Sequence, residues 1–339
     1  MTLPASGQIT LNQVNVELGN SGTAQIGMND AAVRALFGIP SGEIEMSDGY
    51  GKSSETVLTS AGTVNGQDQR QQITVSDFIS SGGTLRVPSN IWVWSDSRST
   101  AAMVIDISCT IVNEGKIIGR GGDGGGNPWW GSSAGQSGGP AIKINSGVTG
   151  VTITNSSGAY IAGGGGGGGP GSNPSSPGGG AGGGSGSRPG ESGSTVPLAA
   201  GGALNATGST GLAYYYPNTV TPGAGNSGAG GGAGGGGGHY VYSGGDVGFS
   251  SGGGGGGRIL PGTGGSGGTS SGGGQGGAGG SAGNAGTAST FYGSGGGGGW
   301  GASGGSGSGG TSGGAGGAAI DDSGETYTLS NSGTIYGGT

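Results

Sequence analysis

Apolar and polar residues alternate strictly over residues 103–111, which is the pattern of a strand with one buried face. Shorter alternations at residues 73–75 and 85–87, and an apolar run at 91–94, predict further strands. We therefore expect a β-rich region over residues 56–118. Cys109 falls on the apolar face of its strand, which favours a small buried hydrophobe over a reactive nucleophile.

The first 55 residues carry a different periodicity, with apolar residues three and four positions apart. Thr10 and Gln13 fit a capping box at the start of one predicted helix. A second predicted helix begins at Asn29 or Asp30 and ends at Gly38. Two or three short helices bury too little apolar surface to be stable alone, so we expect this N-terminal helical module to attach the chain to another protein. The alternative is a small cap on the rest of the chain.

Three segments share one pattern, in which an apolar residue, an Asn and a Gly are followed by a second apolar position. They are residues 111–119, 153–163 and 329–337. Each segment predicts a strand, a tight turn and a second strand, and the first two then enter glycine runs. The third copy has no such run to enter. We expect it to lie in a C-terminal closing region, residues 320–339, and to pair with the first two copies.

Glycine is concentrated in one part of the chain, because 84 of the 101 Gly residues fall within residues 119–319. The three-residue register of collagen is absent, and the whole chain has only 13 Pro. A flexible linker, silk-like disorder and packed extended helices remain as interpretations, and the segmented glycine runs favour the third. The expected fold class is a small α-helical module and a β-strand region, followed by a glycine-rich body of packed polyglycine-II helices closed by a C-terminal β-strand.

Composition excludes several classes of function. One Cys and one His leave no disulfide framework, no thiolate zinc site and no histidine-ligated metal site. The net charge of −7 argues against nucleic acid as a partner. No apolar run approaches the roughly 20 residues of a membrane-spanning helix, and the start of the chain lacks a secretory signal pattern. Residues 124–319 contain only two carboxylates, Glu191 and Asp246, so we expect no glycan-cleaving enzyme, and no cofactor or metal either.

Almost all aromatic residues in the glycine-rich body lie in short inserts between the glycine runs. Clustered exposed aromatics mark binding surfaces, and Tyr, Trp, Ser, Gly and Asn make up adaptable binding loops. We therefore predict that the inserts bind a receptor, and the alternative is that they cap the faces of the body and exclude water. The candidate residues are Trp129, Trp130, Tyr214, Tyr215, Tyr216, His239, Tyr240, Tyr242, Phe249, Phe291, Tyr292 and Trp300.

Two parts of the chain resemble phage proteins. Residues 7–53 contain, in order, the strings GQITLNQVNVELG, AQIGMNDAAVRALFG and SGEIEMSDGYGKS, which look like a short module found near the start of tailed-phage structural proteins. The glycine runs and inserts of residues 119–319 resemble the distal tail-fibre adhesins of T-even-like phages. That resemblance implies a sandwich of polyglycine helices with variable loops that bind the host.

The resemblance also implies a setting and partners. It implies a protein of the virion tail, exposed to the extracellular medium and attached to a phage tail or tail-fibre protein through its N-terminal region. The implied receptor is a bacterial outer-surface protein or glycan, with no nucleic acid and no membrane insertion involved. The leading hypothesis is an adhesin at a tail tip or fibre tip. The competing hypothesis is a purely structural virion protein that acts as a rigid spacer or decoration.

Overall fold

A computed structural model describes most of the first half of the chain, most of the last 64 residues and isolated parts between them. The described residues are 3–18, 20–52, 54–64, 66–125, 134–171, 214–215, 240–241, 264, 267, 276–290, 293–308 and 310–339.

Two short α-helices form where the sequence predicts them. Helix α1 (Leu11–Glu17) begins with the predicted capping box, in which the Gln13 backbone N–H donates to Thr10 Oγ1 at 3.2 Å. Helix α2 (Ala31–Phe37) has Asp30 as N-cap and ends at Gly38 in the left-handed conformation. A 3-10 helix, Met46–Gly49, follows. The module has a buried apolar cluster of its own, which contains Leu3, Ile9, Val14, Val33 and Phe37.

Three sheets make up most of the remaining regular structure. The first sheet has the order β1 (Glu55–Val57), β5 (Thr84–Val87), β8 (Thr110–Asn113), β11 (Val151–Asn155) and β16 (Tyr327–Asn331). The second has the order β15 (Ile320–Asp321), β10 (Ile142–Ile144), β7 (Met103–Ile105) and β4 (Ile73–Thr74). The third has the order β17 (Thr334–Tyr336), β12 (Tyr160–Ala162), β9 (Lys116–Ile118), β6 (Ile91–Trp94), β3 (Gln67–Gln71) and β2 (Thr63–Val64). Every pair is parallel except β2 with β3. A 3-10 helix, Val75–Asp77, follows β4, and a separate two-stranded sheet joins β13 (Tyr214–Tyr215) and β14 (Tyr240–Val241).

The chain visits the three large sheets in the same order on each pass. It runs from β7 in the second sheet to β8 in the first and β9 in the third, then repeats this path through β10, β11 and β12, and again through β15, β16 and β17. The result is a three-sided coil of stacked parallel strands. Inward side chains such as Ile105, Ile111 and Ile117, all fully buried, form one continuous core. Cys109 belongs to that core, as predicted, and burial raises the pKa of its thiol to about 11.

The three sequence repeats occupy equivalent positions in successive coils. Ile153 aligns with Ile111 on one side and with Leu329 on the other. The sequence predicts that the third repeat pairs with the first two copies. Its pairing with the second is confirmed, but it does not pair with the first, which lies on the opposite side of the second. The Asn that recurs in all three repeats has a structural reason. Asn113 Nδ2 donates to Asn155 Oδ1, and Asn155 Nδ2 donates to Asn331 Oδ1, each at 2.9 Å. This asparagine ladder holds the turns between the first and third sheets.

One corner of the coil grows from pass to pass. The connection from the third sheet to the second is one residue long after β3 (72), eight after β6 (95–102), 23 after β9 (119–141) and 157 after β12 (163–319). Connections at the other two corners remain between two residues (114–115) and nine residues (75–83). We call the two long connections the first and second corner insertions. Together they contain the glycine-rich body except residues 142–162, which form β10, β11 and β12 with their short connections.

The expected fold class is wrong. The regular structure of the described residues is mostly parallel β-sheet with two short α-helices, and the glycine segments among them carry no helix, so the described part of the body is not a bundle of polyglycine-II helices. The physical reason is that the core is built by apolar side chains on strands, which the glycine runs cannot supply. The division into regions ending at residues 55, 118 and 319 stays a prediction.

Candidate receptor-binding region

The corner insertions begin as closely packed backbone segments. Residues 163–169 are hydrogen-bonded to several other glycine-rich segments: Gly166 N donates to Ala302 O and Gly167 N to Gln136 O, both at 2.8 Å. In the opposite direction, Gly298 N donates to Gly166 O at 2.8 Å. Backbone donors and acceptors thus satisfy one another without water, which removes the main cost of burying a glycine segment.

Side chains are excluded from these contacts by distance. A Cβ added to Gly164 would lie 1.9 Å from Arg120 O, and one added to Gly167 would lie 2.0 Å from Asp123 O. Real Cβ atoms do not approach carbonyl oxygens so closely. The glycine content of the described segments is therefore required by their packing, and the positions that carry large side chains must lie elsewhere.

Trp300 is the predicted receptor-binding residue for which the structure describes both backbone and side chain. Its side chain is buried rather than exposed. It is 0% exposed and packs with Trp92, Ile118 and Ala162 on the third sheet. These three residues point away from the main core. The residues next to them in each strand fill that core, and successive side chains of a strand face opposite sides of the sheet. Trp300 therefore anchors the second corner insertion on the outer face of the third sheet. We remove it from the receptor-binding set.

Two other inserts lie side by side. Strands β13 and β14 pair in parallel, with Tyr214 opposite Tyr240 and Tyr215 opposite Val241. The sequence places these inserts 25 residues apart and gives no signal of their pairing. The remaining candidates lie outside the described residues: Trp129, Trp130, Tyr216, His239, Tyr242, Phe249, Phe291 and Tyr292.

The first corner insertion has a described base on either side of Trp129 and Trp130. The backbone segments that enter and leave the insertion are hydrogen-bonded to each other: Gly139 N donates to Arg120 O at 2.7 Å, and Gln136 N donates to Asp123 O at 2.8 Å. Arg120 also forms an ion pair with Asp123, at 3.0 Å. The base of the first corner insertion is therefore fixed by hydrogen bonds and an ion pair on either side of these two residues.

A polar cavity next to this base was not predicted from the sequence. It has a volume of about 520 Å³ and is lined by Asp96, Ser97, Arg98, Ser99, Arg120 and Ser137 together with Gly138. The only sequence signal is that charged residues are scarce near the glycine runs, so Arg120 and Asp123 stand out there.

The described part of the chain contains neither a cluster of metal-ligating side chains nor a membrane-spanning helix. Among those residues, no group of three or more His, Cys, Asp or Glu side chains is placed to hold a metal ion. Within the same residues, every helix is too short or too polar to cross a bilayer.

Comparison with known proteins assigns the chain to a family. The crystal structure of the gp37-gp38 adhesin tip complex of the bacteriophage S16 long tail fibre aligns over 98% of this chain and 99% of that chain, at 17% identity and a TM-score of 0.36. No curated protein matches the sequence. The family described as phage tail fibre adhesin Gp38 matches residues 53–250, which is more than half of the chain. The chain therefore belongs to the Gp38 family of phage tail fibre adhesins.

Proposed function

We propose that this adhesin binds a bacterial surface receptor at the tip of a tail fibre, through the aromatic inserts of its two corner insertions. Its family is one of adhesins rather than enzymes, and a tail fibre adhesin is part of the virion tail. The observation that carries the proposal is the growth of a single corner of the coil, from one residue to 157, while the other corners stay short. Of the described residues in these insertions, the main core contains only Ala141 and Ala319, at their ends. Added chain outside the core is what a binding surface on a rigid scaffold requires.

The physical basis of binding follows from which residues the insertions contain. Close glycine packing leaves specificity to the inserts, and aromatic rings bury large areas at low conformational cost. The pairing of β13 with β14 brings the backbones of two Tyr-containing inserts together, which favours one joint contact surface over separate ones. Residues 124–319 contain only five charges, so affinity rests on ring burial and short-range hydrogen bonds rather than on long-range attraction.

We also propose that the N-terminal helical module attaches the adhesin to a phage tail or tail-fibre protein. The family match begins at residue 53, so the module lies almost entirely before it. It has a separate apolar core, and it still exposes Leu11, Val16 and Tyr50 by 40–42%. Ser54 ties it to the coil by donating its Oγ–H to Glu17 O at 2.6 Å. A module with its own core and exposed apolar side chains is suited to a partner contact.

The experiment is an insert-by-insert alanine scan of the purified full-length protein. The variants replace the aromatic residues of one insert at a time, starting with Trp129 and Trp130 and then with the β13 and β14 inserts. Binding to cells of the phage's host is measured by sedimentation, and unfolding curves verify the fold. Tyr50→Ala is the matched control, since Tyr50 is an exposed aromatic residue outside the insertions.

We expect the inserts to fall into two groups. Replacing a central anchor costs about 2 kcal/mol or more, so it weakens cell binding roughly 30-fold, while replacing a peripheral residue changes little. The control keeps full binding. If every insert can be replaced without loss of cell binding while the fold persists, the receptor-binding proposal is refuted and the rigid-spacer hypothesis takes its place.

A further inference from the structure

The eight-residue connection between β6 and β7 forms a fixed polar loop at the same corner as the insertions. Ser95 is fully buried, and its Oγ lies 2.8 Å from Ser97 O and 2.7 Å from Thr100 O. The same oxygen accepts a hydrogen bond from Ser97 N at 3.0 Å. Ser97 Oγ and Ser99 Oγ are 3.0 Å apart. The loop is therefore held in shape by its own hydroxyl groups, and it forms one wall of the polar cavity.

The base of the first corner insertion forms the opposite wall. Arg120 is oriented by Asp123, whose two carboxylate oxygens accept from Arg120 Nη2 at 3.0 and 3.2 Å. Arg98 approaches the same carboxylate less closely, with 4.0 Å between its Nε and Asp123 Oδ2. The Nε of Arg98 is buried and donates no hydrogen bond among the described residues. Asp123 thus holds Arg120 by hydrogen bonds, whereas Arg98 lies beyond hydrogen-bonding distance of that carboxylate and lines the cavity.

The lining decides which chemical class of ligand fits. It contains no large apolar side chain, and its volume of about 520 Å³ is within the roughly 300–1,000 Å³ of small-molecule sites. A guanidinium pairs best with a carboxylate or a phosphate. The exposed carboxylate of Asp96 opposes a bare anion, but it can accept hydrogen bonds from sugar hydroxyls, as serine hydroxyls can. The combination favours a hydroxylated ring that carries one acidic group.

We propose that this cavity binds an acidic sugar unit, with Arg98 pairing its carboxylate or phosphate and Asp96 and the serines contacting its hydroxyls. The site rests on the proposed adhesin function and gives it a second contact, to an acidic glycan, apart from the aromatic inserts. Such a contact lies at the corner from which the insertions extend, so a surface glycan can be bound by the same side of the coil.

The test is calorimetric titration of the full-length protein with four probes: glucuronate, glucose 6-phosphate, glucose and inorganic phosphate. We expect the two acidic sugars to bind with a Kd of about 1 mM, since a single sugar offers few contacts. Comparing glucuronate with glucose 6-phosphate separates a carboxylate ligand from a phosphate ligand. Glucose and inorganic phosphate should each bind at least about tenfold more weakly, because glucose has no acidic group and inorganic phosphate has no sugar ring.

Three variants assign the binding to the cavity. Arg98→Gln should weaken binding of the acidic sugars at least about tenfold. The affinity of Arg98→Lys should lie between those of the wild type and Arg98→Gln, because Lys keeps the charge but lacks the planar guanidinium. Lys143→Gln, which removes one positive charge from β10 outside the cavity, should change nothing. Thermal unfolding verifies that each variant folds.

Several outcomes would overturn the proposal. These are equal affinity for glucose or for inorganic phosphate, unchanged affinity in Arg98→Gln, or no saturable binding of either acidic sugar. Its failure is distinguishable from failure of the adhesin proposal. Cell binding by the aromatic inserts is measured separately and does not depend on Arg98.

Discussion

Replacing Gly166 by Ala tests whether the glycine segments are packed as closely as the structure describes. Gly166 lies in the middle of residues 163–169, and its backbone N–H and C=O are both hydrogen-bonded to other segments. An added Cβ would lie 1.9 Å from Gly314 O and 2.5 Å from Gly314 C. Both contacts are with backbone atoms, so no side-chain rotation relieves them.

The cost can be worked out from these distances. Ordinary contact with a Cβ begins near 3.4 Å, so the Gly314 segment must move away by about 1.5 Å. The bond from Gly314 N to Gly167 O, now 2.7 Å, would then exceed hydrogen-bonding distance. Two or three buried groups left unpaired cost about 1–3 kcal/mol each. The loss of backbone freedom in the unfolded chain offsets only about 0.4–1 kcal/mol. The net destabilisation is about 1–9 kcal/mol.

The sign of the effect makes the experiment decisive. Without a clash, Gly→Ala would stabilise the protein through the unfolded state, whereas the packing described above requires destabilisation. Gly338→Ala is the control, because its Cβ meets no atom within 4 Å and its φ lies outside the left-handed region. Urea unfolding and hydrogen exchange over residues 163–169 measure global and local stability. If Gly166→Ala matches Gly338→Ala within about 1 kcal/mol and exchange is unchanged, the close packing is refuted.

Three further predictions concern the contacts of the coil. Trp300→Ala should destabilise the second corner insertion by about 3–5 kcal/mol, seen as faster hydrogen exchange in residues 293–308, while exchange in β8 stays slow. Asn155→Ala should lower the free energy of unfolding by about 1–3 kcal/mol in urea titrations, because it removes a hydrogen-bond partner from the buried Asn113 amide and another from the exposed Asn331, and an unchanged midpoint would contradict the ladder. For Cys109, the folded-state pKa of about 11 lies above the ordinary value of 9.0. Its contribution to stability is therefore full below pH 9 and is lost as the pH rises towards 11, and a Cys109→Ala variant should lack that part of the pH dependence.

Local structure could be predicted from the sequence where side chains encode it. The capping residues Thr10 and Gln13, and Gly38 at the end of α2, have specific backbone preferences. The alternation over residues 103–111 identifies buried positions such as Cys109 and Ile111, but its reading as one strand is wrong, because β7 and β8 are separate strands joined by residues 106–109. The Asn of the repeats was visible as a pattern, although its role as a ladder was not, because a ladder exists only once three coils are stacked.

Long-range arrangement could not be predicted in the same way. Parallel strands that meet across connections of 23 and 157 residues leave no local signal of which sheet they join. Glycine adds to the difficulty because its hydrogen bonds are made by backbone that is identical in every segment, so composition alone does not choose among packings. Trp300 resembles the other aromatic inserts in sequence, and only its contact with Trp92 and Ile118 reveals an anchor.

The three corners of the coil differ in what an insertion would disturb. Between the first and third sheets, the asparagine ladder links Asn113, Asn155 and Asn331, so added residues there would break hydrogen bonds between neighbouring coils. At the growing corner, the strands of the third sheet end in Ile118 and Ala162, which face away from the main core. Chain leaving at that point removes nothing from the core and needs only an anchor, which Trp300 provides. Stability and recognition are thereby separated: the apolar core and the ladder hold the coil, and residues at the tips of the insertions can change without altering either.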